Sequence, residues 1–400
     1  TVFYNMADTF FLGQLGDPKQ VAAANISMPL LMFLTGVGNL FGIGGASLIS
    51  RSLGEGNRLK AEKTASFAII STLVISIIYS LLLYFLRPRL IPLFGANHET
   101  YGFVSDYLFW TVCIGGLATA LSGGLSHLVR SEGYAKEASI GLGLGGVLNI
   151  ILDPLMILGL GWEITGAAVA TMISNTMALG YFLLVIYKGR EKLATGVYSH
   201  ALRDMKGVPR EVLIVGLPSF VMIIMASISN TAINKLMAGY TNNAVAGMGI
   251  AKKINMVAFC LSQGLTQGAL PLIGYNYSSG NRQRMMGVIK ALVKYSLILS
   301  VGSFLLLFFA ARPVIRLFID HAETIEFGKI FLKIVSFSSL TITFNYLIIT
   351  IFQATGAKRQ PVLLSFLRKG TLDVPLMILH NGLIGIRGVA MGTPIADAFS

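Results

Sequence analysis

Residues 64–86 read TASFAIISTLVISIIYSLLLYFL, without a single charge. A segment of about 20 predominantly apolar residues is long enough to cross a bilayer as a helix. In hydrocarbon only a helix or a closed barrel satisfies the backbone's hydrogen-bonding groups. Two further runs behave alike: 138–162 carries one charge, Asp153, and the run opening at Tyr295 meets none before Arg312. Composition agrees, with 54% hydrophobic residues, 12% charged and a mean hydropathy of +0.71. A soluble domain carries roughly 25% charged residues.

Breaking the apolar runs at charged or turn-rich segments predicts ten complete spans: 21–49, 64–86, 104–128, 138–161, 164–187, 212–238, 244–273, 288–311, 328–354 and 361–379. Residues 1–13 and 385–400 read as parts of two more helices. The fold class is therefore an all-α integral membrane protein of twelve helices, the first and last truncated. Alternate loops divide the cations unequally. Loops 50–63, 128–138, 188–211, 275–294 and 356–369 hold 20 Lys and Arg, and the intervening loops hold 6. The positive-inside rule places the first set in the cytoplasm. The net charge of +13 thus records topology, and nucleic acid is not an expected partner.

An internal repeat runs through the chain. LISRSLGEGNR (48–58) matches LIGYNYSSGNR (272–282), and LDPLMIL (152–158) matches LDVPLMIL (372–379). ITGAAVATMISN (164–175) echoes IRGVAMGTPIAD (386–397), and VAAANI (21–26) echoes VAGMGI (245–250). Each unit contributes an even number of helices, so both enter from the same side as a parallel repeat. The predicted organisation is an amino-terminal six-helix lobe (1–187), a basic cytoplasmic connector (188–211) acting as hinge, and a carboxy-terminal six-helix lobe (212–400).

Ionisable groups inside a span cost roughly 2.5–3.5 kcal/mol on insertion scales and are functional candidates by default. Asp8 and Asp153 each lie about eight residues from the next extracellular turn, and Thr171 lies a similar distance inside the following span, so all three sit about 12 Å deep at 1.5 Å per residue. Asn149 stands four residues before Asp153, on the same helix face. Two carboxylates, an amide and a hydroxyl at one depth form an oxygen-rich set suited to Na⁺ or to a shared proton. Pro154 lacks an N–H and predicts a kink there. Asp373 reads differently, with Lys369 at i−4 predicting an ion pair. Asn39, Asn230, Gln263, Gln267 and Asn345 are expected to line a cavity or bond across helices. Lys235 is expected to snorkel.

Other motifs carry less. GLGLGG (141–146) and GVGNLFGIGG (36–45) follow no strand, so they read as packing glycines rather than dinucleotide loops. No phosphate-binding G-x-x-x-x-G-K-[ST] loop occurs, the histidines lack metal-ligand spacing, and Cys113 and Cys260 lie inside apolar runs. No cofactor is expected beyond a coupling ion. A membrane-embedded enzyme lacks a nucleophile–base pair. A major-facilitator carrier would need an aspartate near the start of 51–60 that is missing here.

YNMADTFFLGQLG (4–16), GEGNRLKA (54–61) and LNIILDPLMI (148–157) with ITGAAVATMISN resemble the bacterial MATE (multidrug and toxic compound extrusion) transporters over essentially the whole chain. The resemblance implies a bacterial cytoplasmic-membrane protein, Na⁺- or H⁺-coupled antiport, and cationic lipophilic substrates. It places the family's amino-lobe cation site on Asp8, Asn149, Asp153 and Thr171. The first helix of the carboxyl lobe, SISNTAINK (227–235), lacks the acid that some members use. The alternative is a flippase of lipid-linked precursors from the same superfamily, for which Lys252 and Lys253 are the cationic candidates. A monomer in the bilayer is the expected state.

Overall fold

The computed structural model describes residues 11–12, 15, 18–94, 96–202, 205–319, 321–357 and 372–399. Asp8 and Lys369 lie outside them, as does most of the predicted span 361–379. The described elements are helical throughout, and no strand occurs among them. Among the described residues, eight helices are long and apolar enough to span a membrane, and a bent pair counted as one span makes a ninth. Each of the first nine predicted spans matches one of them, with 138–161 and 288–311 running two residues and 212–238 one residue past the helix end.

The chain divides into two compact units, Thr1–Phe220 and Val221–Ser400. In the first, α1 (Pro18–Gly54), α2 (Arg58–Leu93), α3 (Tyr101–Leu108), α4 (Gly116–Ser131), α5 (Ala135–Pro154) and α6 (Glu163–Gly189) are followed by α7 (Val208–Ala238), within which the division falls. The second holds the rest of α7, then α8 (Asn242–Ser278), α9 (Arg282–Phe309), α10 (Ala311–Arg316), α11 (Ala322–Ser336), α12 (Ser338–Ala354), α13 (Asp373–Ile384) and α14 (Ile386–Ala398). The helices overrun the apolar runs: α2 begins at Arg58, six residues before the predicted 64. The apolar run marks the hydrocarbon boundary. A helix keeps its own hydrogen bonds and continues into water.

The repeated GNR motif has one physical meaning in both halves. Gly56 and Gly280 take positive φ (73° and 76°), which glycine adopts without a Cβ penalty. The next residue then caps a helix: Asn57 Oδ1 accepts from Lys60 N and Asn281 Oδ1 from Arg284 N, both at 3.0 Å. The second repeated motif is a hairpin seam. A Cβ on Gly166 would sit 2.7 Å from the Met156 backbone, and one on Gly388 would meet the His380 carbonyl.

Glycines also seat α1. A Cβ on Gly38 would lie 2.7 Å from the Ala120 carbonyl of α4, and one on Gly42 would lie 2.9 Å from Gly124 Cα. Gly216 in α7 meets the Leu40 carbonyl in the same way. At the outer end of α1, Gln20 Nε2 donates to Glu163 (2.7 Å), and Gln20 Oε1 accepts from Ile164 N (3.0 Å), tying α1 to the start of α6. Between α3 and α4 the helix passes through a π-turn, Phe109–Ile114, and bends by 51°. Ser80 Oγ donates to the Val112 carbonyl at 2.7 Å within that turn.

The connector is fastened to the first unit. Arg58 Nη2 donates to the Glu191 carbonyl at 2.8 Å. Ser66 Oγ donates to the Gly196 carbonyl and accepts from Tyr198 N, at 3.1 and 3.2 Å. The Glu132 carboxylate accepts from Ala194 N (2.5 Å), Thr195 N (2.7 Å) and the Thr195 hydroxyl. His200 Nε2 lies 2.9 Å from Glu62 Oε2. Leu193, Ala194 and Thr195 are buried. Burial pushes the Glu132 carboxyl above its ordinary range, and its three hydrogen bonds and Arg58 oppose that shift.

Candidate ion site

Proline at 154 determines the local backbone. It leaves the Ile150 carbonyl without its helical donor, and the chain relaxes into a π-turn over Leu155–Gly159. Leu160 N donates to the Leu155 carbonyl at 2.8 Å and Trp162 N to the Met156 carbonyl at 3.0 Å, closing the turn into α6. Gly166 then allows α6 to approach that turn closely.

The hairpin brings three of the four predicted residues together. Asn149 Nδ2 donates to Asp153 Oδ1 at 3.1 Å and to Thr171 Oγ1 at 3.3 Å. Asn149 and Asp153 are 0% exposed and Thr171 7%. Among the described residues, Asn149 Oδ1 is buried with no hydrogen-bond partner. A buried orphan acceptor costs about 1–3 kcal/mol, and here it stands beside a carboxylate and a hydroxyl. That donor set fits a hard cation or a proton, both of which need oxygen and neither of which needs sulfur or imidazole.

The chain belongs to the MatE family. The MatE family model matches residues 1–155 and again 218–379, one stretch in each half of the repeat. The chain is 31% identical to the multidrug export protein MepA of Staphylococcus saprophyticus over 397 residues, covering 99% of this chain and 87% of the relative. It is 29% identical to MepA of Staphylococcus aureus over 398 residues, covering 100% and 87%. Among solved structures it is similar to an outward-facing multidrug resistance MATE family transporter, with TM-score 0.89, 22% identity, and coverage of 100% of this chain and 89% of that one. The fold is thus the twelve-helix, two-lobe MATE fold, in a multi-pass protein of the bacterial plasma membrane.

In this MatE protein the polar face of α6 extends beyond the predicted set. Asn175 Nδ2 donates to Thr119 Oγ1 of α4 at 2.9 Å, and Thr119 Oγ1 donates to the Gly115 carbonyl at the bend. Asn175 follows Thr171 by four residues, the spacing that places both on one face. That spacing was readable in the sequence; its partner on α4 was not.

The second unit is arranged differently. Asp373, the first residue of α13, is fully buried, and Ser229 Oγ of α7 donates to its Oδ2 at 2.7 Å. Its predicted partner Lys369 lies outside the described residues. The next residue on α7, Asn230, accepts from Lys252 Nζ at 2.5 Å. Asn345 Nδ2 donates to the Asp397 carbonyl at 2.8 Å, a bond between helices. Gln267 is buried, while Asn39 and Gln263 are half-buried. Neither of the latter two makes a side-chain hydrogen bond among the described residues.

Proposed function

We propose that this protein is a secondary multidrug exporter that exchanges external Na⁺ or H⁺ for cationic, lipophilic compounds by alternating access. The carrying observation is the buried Asn149–Asp153–Thr171 cluster, with its orphaned amide oxygen, in a chain whose relatives are named multidrug export proteins. Asp8 completes the proposed site. A buried carboxylate is expensive when charged, so an arriving cation or proton stabilises whichever arrangement holds the cluster closed. α5, weakened at Pro154, is the element that responds. Substrate favours the other arrangement, since coupling requires each ligand to bind the two states differently. The protein acts as a monomer in the lipid bilayer, with the coupling ion as co-substrate and no cofactor.

The test is drug efflux from vesicles under an imposed Na⁺ gradient or an imposed pH gradient, comparing wild type with Asp153→Asn and Asp8→Asn. Loss of coupled efflux in both is expected. Undiminished efflux in both variants would overturn the proposed ion site.

A further inference from the structure

We propose that the second unit binds one anionic phospholipid of the outer leaflet. The site is a groove between the outer ends of α7 and α13, and Lys235 selects the charge of the lipid.

The groove follows from spacing. Ala232, Lys235, Leu236 and Gly239 recur at i, i+3, i+4 and i+7, one stripe along the end of α7. Ile233 and Met237, on the neighbouring stripe, are buried in the core of the second unit together with Met377 of α13. The first stripe is thereby held beside α13, and its small members, Ala232 and Gly239, leave room there. With Tyr240 and with Ile378 and Asn381 of α13, it lines a groove of about 540 Å³. Two hydrogen bonds tie the flanking segments. Ser229 Oγ donates to Asp373 Oδ2 at 2.7 Å, deeper in, and Tyr240 Oη donates to Asn381 Oδ1 at 2.6 Å, at the outer end.

Depth fits a lipid. α7 ends at Ala238, and the loop that follows lies on the extracellular side by the loop charges. Lys235 stands three residues short of that end, about 5 Å in at 1.5 Å per residue. Its stem therefore carries the ammonium to the level of the headgroups. Ala232 and Ile378 lie about one turn deeper than Lys235 and Asn381. The lining is thus polar at the mouth and apolar below, the order of a phospholipid's head and chain. Ile378 and Leu379 are each 58% exposed, an apolar surface along which an acyl chain can continue.

Charge selects the head. Lys235 is exposed and makes no hydrogen bond or ion pair among the described residues. Asn381 Oδ1 is taken by Tyr240, which leaves Nδ2 as the donor of that amide. The adjoining loops, 238–244 and 380–388, contain no Asp or Glu. Along α13 the nearest acid is Asp373, fully buried and about 12 Å below Asn381. An ammonium and an amide N–H at headgroup level favour a phosphodiester that keeps its negative charge over one whose choline cancels it.

Native mass spectrometry of delipidated protein, titrated with dioleoyl phosphatidylglycerol or dioleoyl phosphatidylcholine, tests this. Wild type should retain one phosphatidylglycerol with a preference of about fivefold, the discrimination that one lysine at a lipid surface supplies. Lys235→Gln should erase the preference, and Lys235→Arg should keep it. Asn381→Asp preserves an acceptor for Tyr240 but sets a carboxylate in the groove, so it too should lose phosphatidylglycerol. Lys188→Gln, at the cytoplasmic end of α6, should leave the preference unchanged. Thermal melting without lipid reports that each variant is folded. No preference in wild type, or one that survives Lys235→Gln, would overturn the proposal. So would displacement of the lipid by glycerol 1-phosphate at equal concentration, which would assign the groove to a soluble anion.

Discussion

Asn149 reaches across the α5–α6 hairpin to Thr171 at 3.3 Å while its amide also holds Asp153. One side chain thus orients the carboxylate and joins the two helices. Thr171→Val keeps the shape and removes the hydrogen-bond acceptor. Hydrogen bonds between membrane helices are worth about 0.6–2 kcal/mol. Thermal unfolding in detergent should show a small loss for Thr171→Val. Added Na⁺ or proton should then raise its melting temperature less than it raises that of wild type.

Pro154→Ala restores an N–H that can reach the Ile150 carbonyl and removes the cause of the π-turn. Proline inside a helix costs about 3 kcal/mol or more, so the variant should melt higher. It should also transport more slowly, because the π-turn is what makes α5 adjustable. A variant with both higher melting temperature and unchanged turnover would separate the kink from the transport cycle.

The α1 seam predicts a steep size dependence. Alanine at Gly38 brings its Cβ against a backbone oxygen, 2.7 Å from Ala120 O, so helices rather than a side chain must move. Overpacking of this kind costs about 1–3 kcal/mol. Gly123, where a Cβ would meet nothing within 4 Å, is the control. Gly38→Ala should lower the melting temperature and Gly123→Ala should not.

Glu132 predicts local unfastening. Glu132→Ala leaves the buried N–H groups of Ala194 and Thr195 without acceptors, each worth about 1–3 kcal/mol. Hydrogen exchange should accelerate over 191–198 while α4 and α5 remain protected. Uniform exchange, unchanged from wild type, would mean that other contacts hold the connector.

The same carboxyl gives a pH signature. Its folded-state pKa is raised above the ordinary 4.5, so the native state binds a proton more readily than the unfolded chain. That contribution is fully present below 4.5 and is lost as pH rises through the raised value. Relative to Glu132→Gln, wild type should therefore lose melting temperature as pH climbs through that window, and the difference should flatten above it.

Local chemistry made much of this legible in the sequence. The apolar spans and the i−4 relation of Asn149 to Asp153 each follow from spacing along one helix. The level of Thr171 needed only a count from each side of one hairpin turn. What escaped was whatever depends on a distant backbone. Glu132 holds the N–H groups of residues about sixty positions away, and nothing in SEGYAK or KLATGV announces that pairing. The proline predicted a kink at 154, but whether the chain would kink or shift into a π-turn depended on how closely Gly166 lets α6 approach. Lys252 and Asn230 stand out separately in the sequence; their contact required the α7–α8 pairing.

The fastened connector and the seating of Gly216 on Leu40 bear on any attempt to make the two halves as separate polypeptides. The ancestral duplication invites a cut near 188, between the repeats. Such a cut would strip the first fragment of the connector segment that covers Glu132 and Ser66, and of the helical turn that packs on α1. A first fragment ending after Phe220 carries both with it, so the better place to divide the gene lies inside a helix, some thirty codons past the end of the repeat.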